Sequence, residues 1–253
     1  GRVYVVLSKE KLREARLNIN DWFEPAQVFA LDVKDLPPGQ SVSIDGTALA
    51  HPRKLADLPM DGYQVQAVAR RSLDHPVPGR GPGDLYSAPS WVDLDPTKCG
   101  AISLKLDKVV EAKPFAESDR VKLFEMVSPS LSKFHGREVK VRAGVVLPTG
   151  WKDDPSTKHP VLYVIGGFGG DHHMANWLAN SRSSDPNSDQ VLKVIPDPTC
   201  YRGHSVFADS ENNGPWGQAL VEELIPAIEA KFHGANSGRH RYVTGVSSGG
   251  WSS

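Results

Sequence analysis

The chain has 253 residues, a net charge of −1 and 39% hydrophobic residues. These values are typical of a globular protein with one large or two modest domains. The near-neutral charge provides no basic field that would attract nucleic acid or an anionic membrane surface. No apolar run approaches the roughly 18 residues that a membrane span requires. We therefore expect neither a nucleic-acid partner nor a membrane span.

The first residue is Gly1 rather than methionine. Two explanations stay open: a signal peptide has been removed, or the chain begins inside a longer protein. We expect a periplasmic or secreted protein. The two cysteines, Cys99 and Cys200, are far apart in the sequence, and the sequence leaves open whether they pair.

Strand-like segments dominate the first part of the chain. Four runs have this character: Arg2–Ser8, Ala26–Val33, Tyr63–Ala67 and Ile102–Leu106. The last two alternate apolar and polar residues, which predicts strands with one buried face, as in an antiparallel sandwich. One helix is predicted near Lys9–Arg16. We predict a small β-sandwich domain over residues 1–113.

A proline-containing linker at residues 110–119 precedes a different pattern. Five further runs are strand-like: Val121–Val127, Val139–Leu147, Val161–Ile165, Val191–Ile195 and Tyr242–Val246. The last three are continuously apolar, which is typical of strands buried on both faces of a parallel sheet. A polar turn around His135-Gly136 is predicted between the first two. Helix-sized segments separate the last three, and the second of these has helical spacing from Leu220 to Phe232 and is closed by Gly234. We predict a doubly wound α/β sheet over residues 114–253.

The segment from Gly245 to Gly249 has the pattern Gly-X-Ser-X-Gly. In an α/β-hydrolase this pattern follows a strand, makes a sharp turn and begins a helix, so that the serine hydroxyl projects above the sheet. The strand-like run before it and the small residues after it provide this context. A glycine- and serine-rich loop is the alternative for the pentapeptide alone. We predict that Ser247 is a nucleophile.

A glycine-rich loop, Gly166–Gly170, directly follows the predicted strand Val161–Ile165. Acyl transfer requires N–H donors for the tetrahedral oxyanion. In α/β-hydrolases one donor comes from such a loop, and the other is the residue after the nucleophile, here Ser248. A plain flexible loop is one alternative. A phosphate-binding turn is another, but neither G-x-G-x-x-G nor a Walker lysine is present.

Together, three segments resemble the bacterial putative-esterase family of α/β-hydrolases, which includes esterase D-like enzymes, feruloyl and acetyl xylan esterases, enterochelin esterases and mycolyltransferases. The segments are His159–Gly170, Leu220–Phe232 and Tyr242–Gly250. The resemblance covers residues 120–253 and implies Ser247 as nucleophile, with the N–H groups of Phe168 and Ser248 as oxyanion donors. Gly166 stands where the family often has histidine, which puts the loop geometry in question. The N-terminal β region is similar to that of enterochelin esterase-like proteins.

A serine nucleophile needs a histidine base and a carboxylate that orients it, in the chain order Ser, Asp or Glu, His. Only residues 248–253 follow Ser247, and neither partner is among them. We therefore expect an α/β-hydrolase domain that is truncated just after the nucleophile, with the acid and the histidine further along a longer protein. The chain as given is expected to show little or no turnover.

Several upstream polar residues are secondary candidates. His172, His173 and His204 could serve as a base, and loop polarity or local hydrogen bonding is the alternative for each. The pair His172 and His173 also suggests a metal, but adjacent residues seldom converge on one ion, so we predict no metal and no cofactor. Asp209 is near His204, and Asp197 is interpreted as a turn former. Of Glu222 and Glu223, one is expected to face solvent and the other to brace a loop, and neither is expected to orient a base.

Gly167 and Trp216 are the predicted substrate contacts, and a packed core tryptophan is the alternative for Trp216. The prediction for the whole chain is a serine esterase that acts on a small-molecule or polymer-linked ester. An acyltransferase or a peptidase on the same fold is one alternative. A noncatalytic binding protein that uses the β-sandwich is the other.

Overall fold

The computed structural model describes residues 1–11, 13–19, 23–95, 100–181 and 187–253. Cys99 lies outside these residues. The chain divides into two compact units, Gly1–Lys113 and Pro114–Ser253.

The first unit contains an antiparallel sheet. Its strands are β1 (Arg2–Ser8), β2 (Gln27–Asp32), β3 (Leu49–His51), β4 (Gly62–Arg70), β5 (Leu85–Tyr86), β6 (Ser90–Asp93) and β7 (Lys108–Val109). The strand order is β3-β2-β1-β4-β5-β7, and β6 also pairs with β4. Short 3-10 helices lie at Ala15–Asn18 and Leu55–Asp57. Because these strands form one connected sheet, the second sheet of a β-sandwich is not confirmed.

The strand prediction for this unit is correct for β1, β2 and β4 and wrong for Ile102–Leu106, which lies outside any strand. In that segment Leu104 packs against the small core that includes Phe29 and Tyr63. The alternation of apolar and polar residues in this segment indicates which side chains pack against the core. A strand also needs a neighbouring backbone for its hydrogen bonds. Near Lys9–Arg16, the helical structure of the described residues is the 3-10 turn that begins at Ala15.

The second unit is a mixed sheet with helices. Its main strands are β8 (Val121–Val127), β9 (Lys140–Val146), β10 (Val161–Ile165), β11 (Leu192–Pro196) and β16 (Arg241–Gly245), and its two-residue strands are β12 (Thr199–Cys200), β13 (Gly203–His204), β14 (Asp209–Ser210) and β15 (Gly214–Pro215). The helices are α1 (Pro129–His135), α2 (Met174–Asn180), α3 (Trp216–Gln218), α4 (Ile225–Lys231) and α5 (Ser248–Ser252). A π-helical segment, Ala219–Leu224, joins α3 to α4, and 3-10 helices lie at Ser188–Gln190 and Gly238–His240.

The five main strands have the order β16-β10-β11-β9-β8. Strand β10 is parallel to both β11 and β16, whereas β9 is antiparallel to β11 and β8. Parallel strands connected through helices, with an antiparallel pair at one edge, make an α/β sheet, as predicted. The carboxyl ends of β10, β11 and β16 meet at one side of the sheet, which is where ligands bind in open α/β folds.

Helix α1 replaces the polar turn predicted around His135-Gly136. The hydroxyl of Ser128 accepts a hydrogen bond from the Leu131 N–H, and Pro129 occupies the first helical position. Gly136 ends the helix with a φ of 64°. Serine as N-cap, proline at the first position and glycine after the last turn are the standard boundary signals of a helix. The sequence therefore contained the signal for α1.

The helix predicted from Leu220 to Phe232 is present and extends from Trp216 to Lys231. Its π-helical segment lies just before Pro226, which has no N–H and would disturb a regular α-helix. The residue that ends the helix in the left-handed conformation is His233, with a φ of 57°, and not Gly234 as predicted.

The prediction that the last strand is buried on both faces is wrong. Strand β16 lies at the edge of the sheet, where Tyr242 and Val243 are 53% and 52% exposed. Adjacent residues of a strand point to opposite faces, so both faces of β16 are open. The equally apolar β10 and β11 lie inside the sheet, and Val161, Leu192 and Val194 are fully buried there.

Substitution of Gly144 by alanine is expected to destabilise the second unit. A methyl group at this position in β9 would lie 2.3 Å from the His172 carbonyl oxygen and 2.5 Å from the Ala175 Cβ. We expect a loss of at least about 2 kcal/mol, because overpacking forces the backbone of a neighbouring segment to move. Urea unfolding followed by tryptophan fluorescence measures it. Gly238→Ala, where a methyl group meets nothing within 4 Å, is the control; equal midpoints for the two variants would contradict the expectation.

Candidate active site

Three loops converge where the parallel strands end. The glycine loop Gly166–Gly170 follows β10, Asp197 follows β11, and Ser247 follows β16. Strand pairing fixes their relative positions, since Ile165 at the end of β10 pairs with Gly245 at the end of β16. The predicted oxyanion loop and the predicted nucleophile are therefore neighbours.

Ser247 occupies the sharp turn between β16 and α5. Its φ of 55° and ψ of −126° lie outside the regions that non-glycine residues normally occupy. Glycine on either side makes the turn possible. A methyl group at Gly249 would lie 2.2 Å from the Ile165 carbonyl oxygen, and one at Gly245 would lie 2.2 Å from the Gly249 carbonyl oxygen. Strained backbone of this kind is characteristic of a nucleophile elbow.

The glycine loop lies directly against this turn. A methyl group at Gly167 would lie 3.2 Å from the Ser247 Cβ and 3.8 Å from its Oγ. The loop is folded back on itself, because the Gly170 N–H donates to the Gly167 carbonyl oxygen at 2.9 Å. The Gly167 carbonyl and the Phe168 N–H belong to the same peptide group. Since the two groups of a trans peptide point in opposite directions, the Phe168 N–H faces away from the bond.

The second predicted donor, the Ser248 N–H, is at the first position of α5. The first N–H groups of a helix have no partner within the helix. Among the described residues, no hydrogen-bond acceptor contacts the N–H of Phe168 or of Ser248. Both N–H groups can therefore donate to a ligand, and their assignment as an oxyanion pair remains a prediction.

His172 and Asp197 form a buried pair beside the glycine loop. The His172 Nδ1–H donates to Asp197 Oδ2 at 2.7 Å, and the imidazole stacks on the ring of Phe115. Asp197 also accepts from the Thr199 N–H at 2.9 Å. Asp197 therefore caps a turn, as predicted, and also orients a histidine. Within the described residues, no histidine is hydrogen-bonded to Ser247 Oγ, so His172 is a partner of Asp197 and not a visible base.

The His172–Asp197 pair is expected to make stability depend on pH in acid. Burial by itself would raise the pKa of Asp197, but the hydrogen bonds from His172 and Thr199 outweigh it and hold this pKa below its usual range. Below about pH 4 the unfolded chain then binds more protons than the folded one, so stability is lost as the pH falls through the folded pKa. We expect Asp197→Asn to flatten this slope in urea unfolding at a series of pH values. Asp119→Asn, at an exposed position, is the control, and parallel slopes for wild type and Asp197→Asn would refute the expectation.

His173 differs from His172. Both of its ring nitrogens are buried and have no hydrogen-bond partner among the described residues. One ligand atom from each of Asp171, His172 and His173 lies within 4.8 Å of the others. Asp171 already accepts from the His173 backbone N–H, and His172 is bound to Asp197. The adjacent histidines thus come closer together than the sequence suggested. His172 Nδ1 is hydrogen-bonded to Asp197, whereas His173 Nδ1 lies 3.3 Å from Asp171 Oδ1 without a hydrogen bond.

His204 contacts the glycine loop, which sequence reasoning missed. Its Nε2 lies 2.9 Å from the Gly166 carbonyl oxygen. Asp209, its neighbour in sequence, instead accepts from the N–H groups of Gly217 and Gln218 and caps α3. No local pattern marks the His204 contact, because 38 residues separate its two partners.

The two predicted substrate contacts lie in different environments. Gly167 is beside Ser247, whereas Trp216 is only 6% exposed and belongs to the main core. The Trp216 indole N–H donates to the Asn213 carbonyl oxygen, and its ring meets Phe207 edge to face. This environment favours the alternative of a packed core tryptophan. The Phe168 side chain, which follows Gly167 in the loop, is 55% exposed.

Three other residues singled out in the sequence have structural partners or are buried. Glu223 accepts hydrogen bonds from the Ser128 hydroxyl and the Ser130 N–H, and so braces the start of α1. Glu222 accepts from the side chain of Gln218 on the same helix. Cys200 is a buried free thiol, and burial raises its pKa. In the described part of the chain, none of the helices is both long and apolar enough to cross a bilayer.

The strand order and the sharp turn at Ser247 are those of an α/β-hydrolase fold. Residues 132–253 match the model of the family described as "Putative esterase". The matched segment is just under half of the chain.

Solved structures with similarity to this chain include esterases and a related hydrolase. A ferulic acid esterase is 19% identical with a TM-score of 0.38, and the match covers 53% of this chain and 52% of that one. An S-formylglutathione hydrolase from Agrobacterium tumefaciens is 17% identical with a TM-score of 0.40, and the match covers 51% of this chain and 50% of that one. A ferulic acid esterase from Anaeromyces mucronatus is 18% identical with a TM-score of 0.35, and the match covers 55% of this chain and 54% of that one. The chain thus spans about half the length of these proteins.

Proposed function

We propose that the protein is a serine esterase that hydrolyses a carboxylic ester through an acyl-enzyme on Ser247. The observation that carries this proposal is the strained turn at Ser247, between a parallel strand and a helix, with the glycine loop directly against its side chain. The match of residues 132–253 to the model of the "Putative esterase" family supports the same reaction.

In the first half of the reaction, Ser247 Oγ attacks the ester carbonyl carbon while its proton passes to a general base. The carbonyl oxygen becomes an oxyanion that accepts hydrogen bonds from the Phe168 and Ser248 N–H groups. The intermediate then collapses, the C–O bond of the alcohol breaks, and the base returns the proton to the departing oxygen. An acyl-enzyme on Ser247 remains.

In the second half, water attacks the acyl-enzyme through the same oxyanion site and the same base. The products are a carboxylic acid and free Ser247. The atoms and electrons of the reaction balance without an oxidant, a metal or an organic cofactor. The base is required to be a histidine or an equivalent proton acceptor. The described residues place none in contact with Ser247 Oγ, and we assign no residue to this role.

The site favours a substrate with an apolar part next to the ester. The ring of Phe168 is open to solvent and follows Gly167, which lies beside the Ser247 side chain. An acyl or alcohol group of a small-molecule or polymer-linked ester can pack on this ring. Trp216, by contrast, is closed off in the core.

The test uses the protein as its gene encodes it. Wild-type protein is expected to hydrolyse p-nitrophenyl acetate and to react with a fluorophosphonate, and mass spectrometry of the labelled peptides is expected to place the modification on Ser247. A label on another serine would move the nucleophile elsewhere. A wild-type protein that neither turns over the ester nor takes the label would favour a noncatalytic binding protein.

A further inference from the structure

The glycine loop receives a hydrogen bond from a distant segment, and that donor has a defined tautomer. His204 Nδ1 accepts a hydrogen bond from the Val206 N–H at 2.9 Å. A ring nitrogen that accepts an N–H carries no proton, so in the neutral imidazole the proton is on Nε2. Nε2–H therefore donates to the Gly166 carbonyl oxygen, 2.9 Å away.

This hydrogen bond acts on the part of the loop that adjoins the nucleophile. The Gly166 carbonyl belongs to the peptide that joins Gly166 to Gly167, and Gly167 is the residue that lies against Ser247. The loop contains four glycines among five residues. Glycine restricts its own backbone least of all residues, so the loop depends on hydrogen bonds for its conformation. Its internal bond, from the Gly170 N–H to the Gly167 carbonyl oxygen, fixes only the following peptide.

The segment that carries His204 also contacts the predicted oxyanion donor. Gly203 has a φ of 122°, and a methyl group there would lie 3.0 Å from Cε2 of the Phe168 ring. The ring thus packs against the Gly203 backbone, one residue before His204. The β12–β13 hairpin therefore touches the glycine loop twice, at the Gly166 carbonyl and at the Phe168 side chain.

Strained backbone holds His204 in this position. Val206 and Phe207 have φ values of 48° and 46°, a left-handed conformation that is costly for a β-branched residue. The Ser205 N–H donates to the Pro198 carbonyl oxygen, and the Phe207 ring packs edge to face on Trp216. Such strain persists only where the surroundings over-determine it, and it concentrates at functional sites. The Val206 N–H that defines the His204 tautomer is part of this segment.

We propose that His204 is a positioning residue of the esterase site: its Nε2–H holds the glycine loop so that the Phe168 N–H is directed at the oxyanion formed on Ser247. It acts through the backbone and does not exchange a proton with the substrate. The mechanistic part of this assignment rests on the function proposed above, whereas the loop contact itself does not.

Three substitutions at His204 separate positioning from mere structural support. Gln places an amide nitrogen near the position of Nε2, Asn places one near the position of Nδ1, and Ala removes both. We expect His204→Ala and His204→Asn to lower kcat about 10- to 100-fold with little change in KM, because misplacement of a catalytic group by about 1 Å costs up to this factor. His204→Gln is expected to recover most of the rate. His240→Ala, at an exposed histidine, is the control.

Hydrogen–deuterium exchange provides a readout that needs no turnover. Exchange of the peptide containing Gly166–Gly170 is expected to speed up in His204→Ala and His204→Asn, and to stay near the wild-type rate in His204→Gln and His240→Ala. Unchanged exchange in His204→Ala would overturn the proposal, whether or not the protein is an esterase. Faster exchange with unchanged kcat in an enzyme that depends on Ser247 would overturn the positioning role. If ester hydrolysis did not depend on Ser247, the proposed esterase function would be overturned. The exchange measurement would then still test whether His204 holds the glycine loop.

Discussion

Replacement of Ser247 by alanine is expected to lower kcat for p-nitrophenyl acetate by at least about a thousandfold. Without Oγ no acyl-enzyme forms, and only attack by water assisted by the N–H groups of the site remains. The backbone turn should be retained, since alanine is small, so KM is expected to change little. Initial rates over a range of ester concentrations measure both constants.

The matched control is Ser252→Ala on the same short helix, where the hydroxyl donates to the Ser248 carbonyl oxygen at 3.0 Å. This variant is expected to keep nearly all activity. Turnover by Ser247→Ala at a rate close to wild type would exclude Ser247 as the nucleophile. Equal losses in the two variants would point instead to a folding defect in α5.

Replacement of Glu229 by alanine is expected to cost about 3 kcal/mol of unfolding free energy, the range for breaking a buried ion pair. The Glu229 side chain is completely buried on α4. It accepts two hydrogen bonds from Arg241, at 2.6 and 3.1 Å, and one from the Tyr163 hydroxyl at 3.1 Å. Burial and the neighbouring Glu229 charge raise the pKa of Tyr163, so this hydroxyl stays protonated and donates. One carboxylate thus joins α4 to β10 and β16.

Urea unfolding of Glu229→Ala, with Glu222→Ala as the control, measures this contribution. Glu222 is an exposed residue of the same helical segment and contacts Gln218. We expect its loss to be within about 0.5 kcal/mol of zero. A double variant, Glu229→Ala with Arg241→Ala, is expected to lose less than the sum of the two single variants, because the partners share one interaction. Strict additivity, or equal losses for Glu222→Ala and Glu229→Ala, would contradict the structural account.

The amino-acid sequence determined most of the second unit. Continuous apolar runs marked β10, β11 and β16, and helical spacing marked the helix before the elbow. These signals are local, because the period of a strand or helix and the residues that end it all lie within about ten consecutive residues. The Gly-X-Ser-X-Gly pattern and the glycine loop also depend on local geometry, since both require backbone close to backbone. For this reason Ser247 and Gly167 could be identified as neighbours before the fold was known.

Tertiary structure alone decided which apolar strand lies at an edge, and it placed Val243 half in solvent while Val161 is buried. It also brought His172 to Asp197 and His204 to Gly166, pairs that are 25 and 38 residues apart. A histidine has the same appearance in the sequence whether it faces water, caps a turn or holds a loop. Its role depends on which backbone segment folds against it, and that contact is set by the pairing of strands over long range, not by the residues beside it. The turn at Ser247 could therefore be predicted from the sequence, whereas the contacts of the surrounding histidines could not.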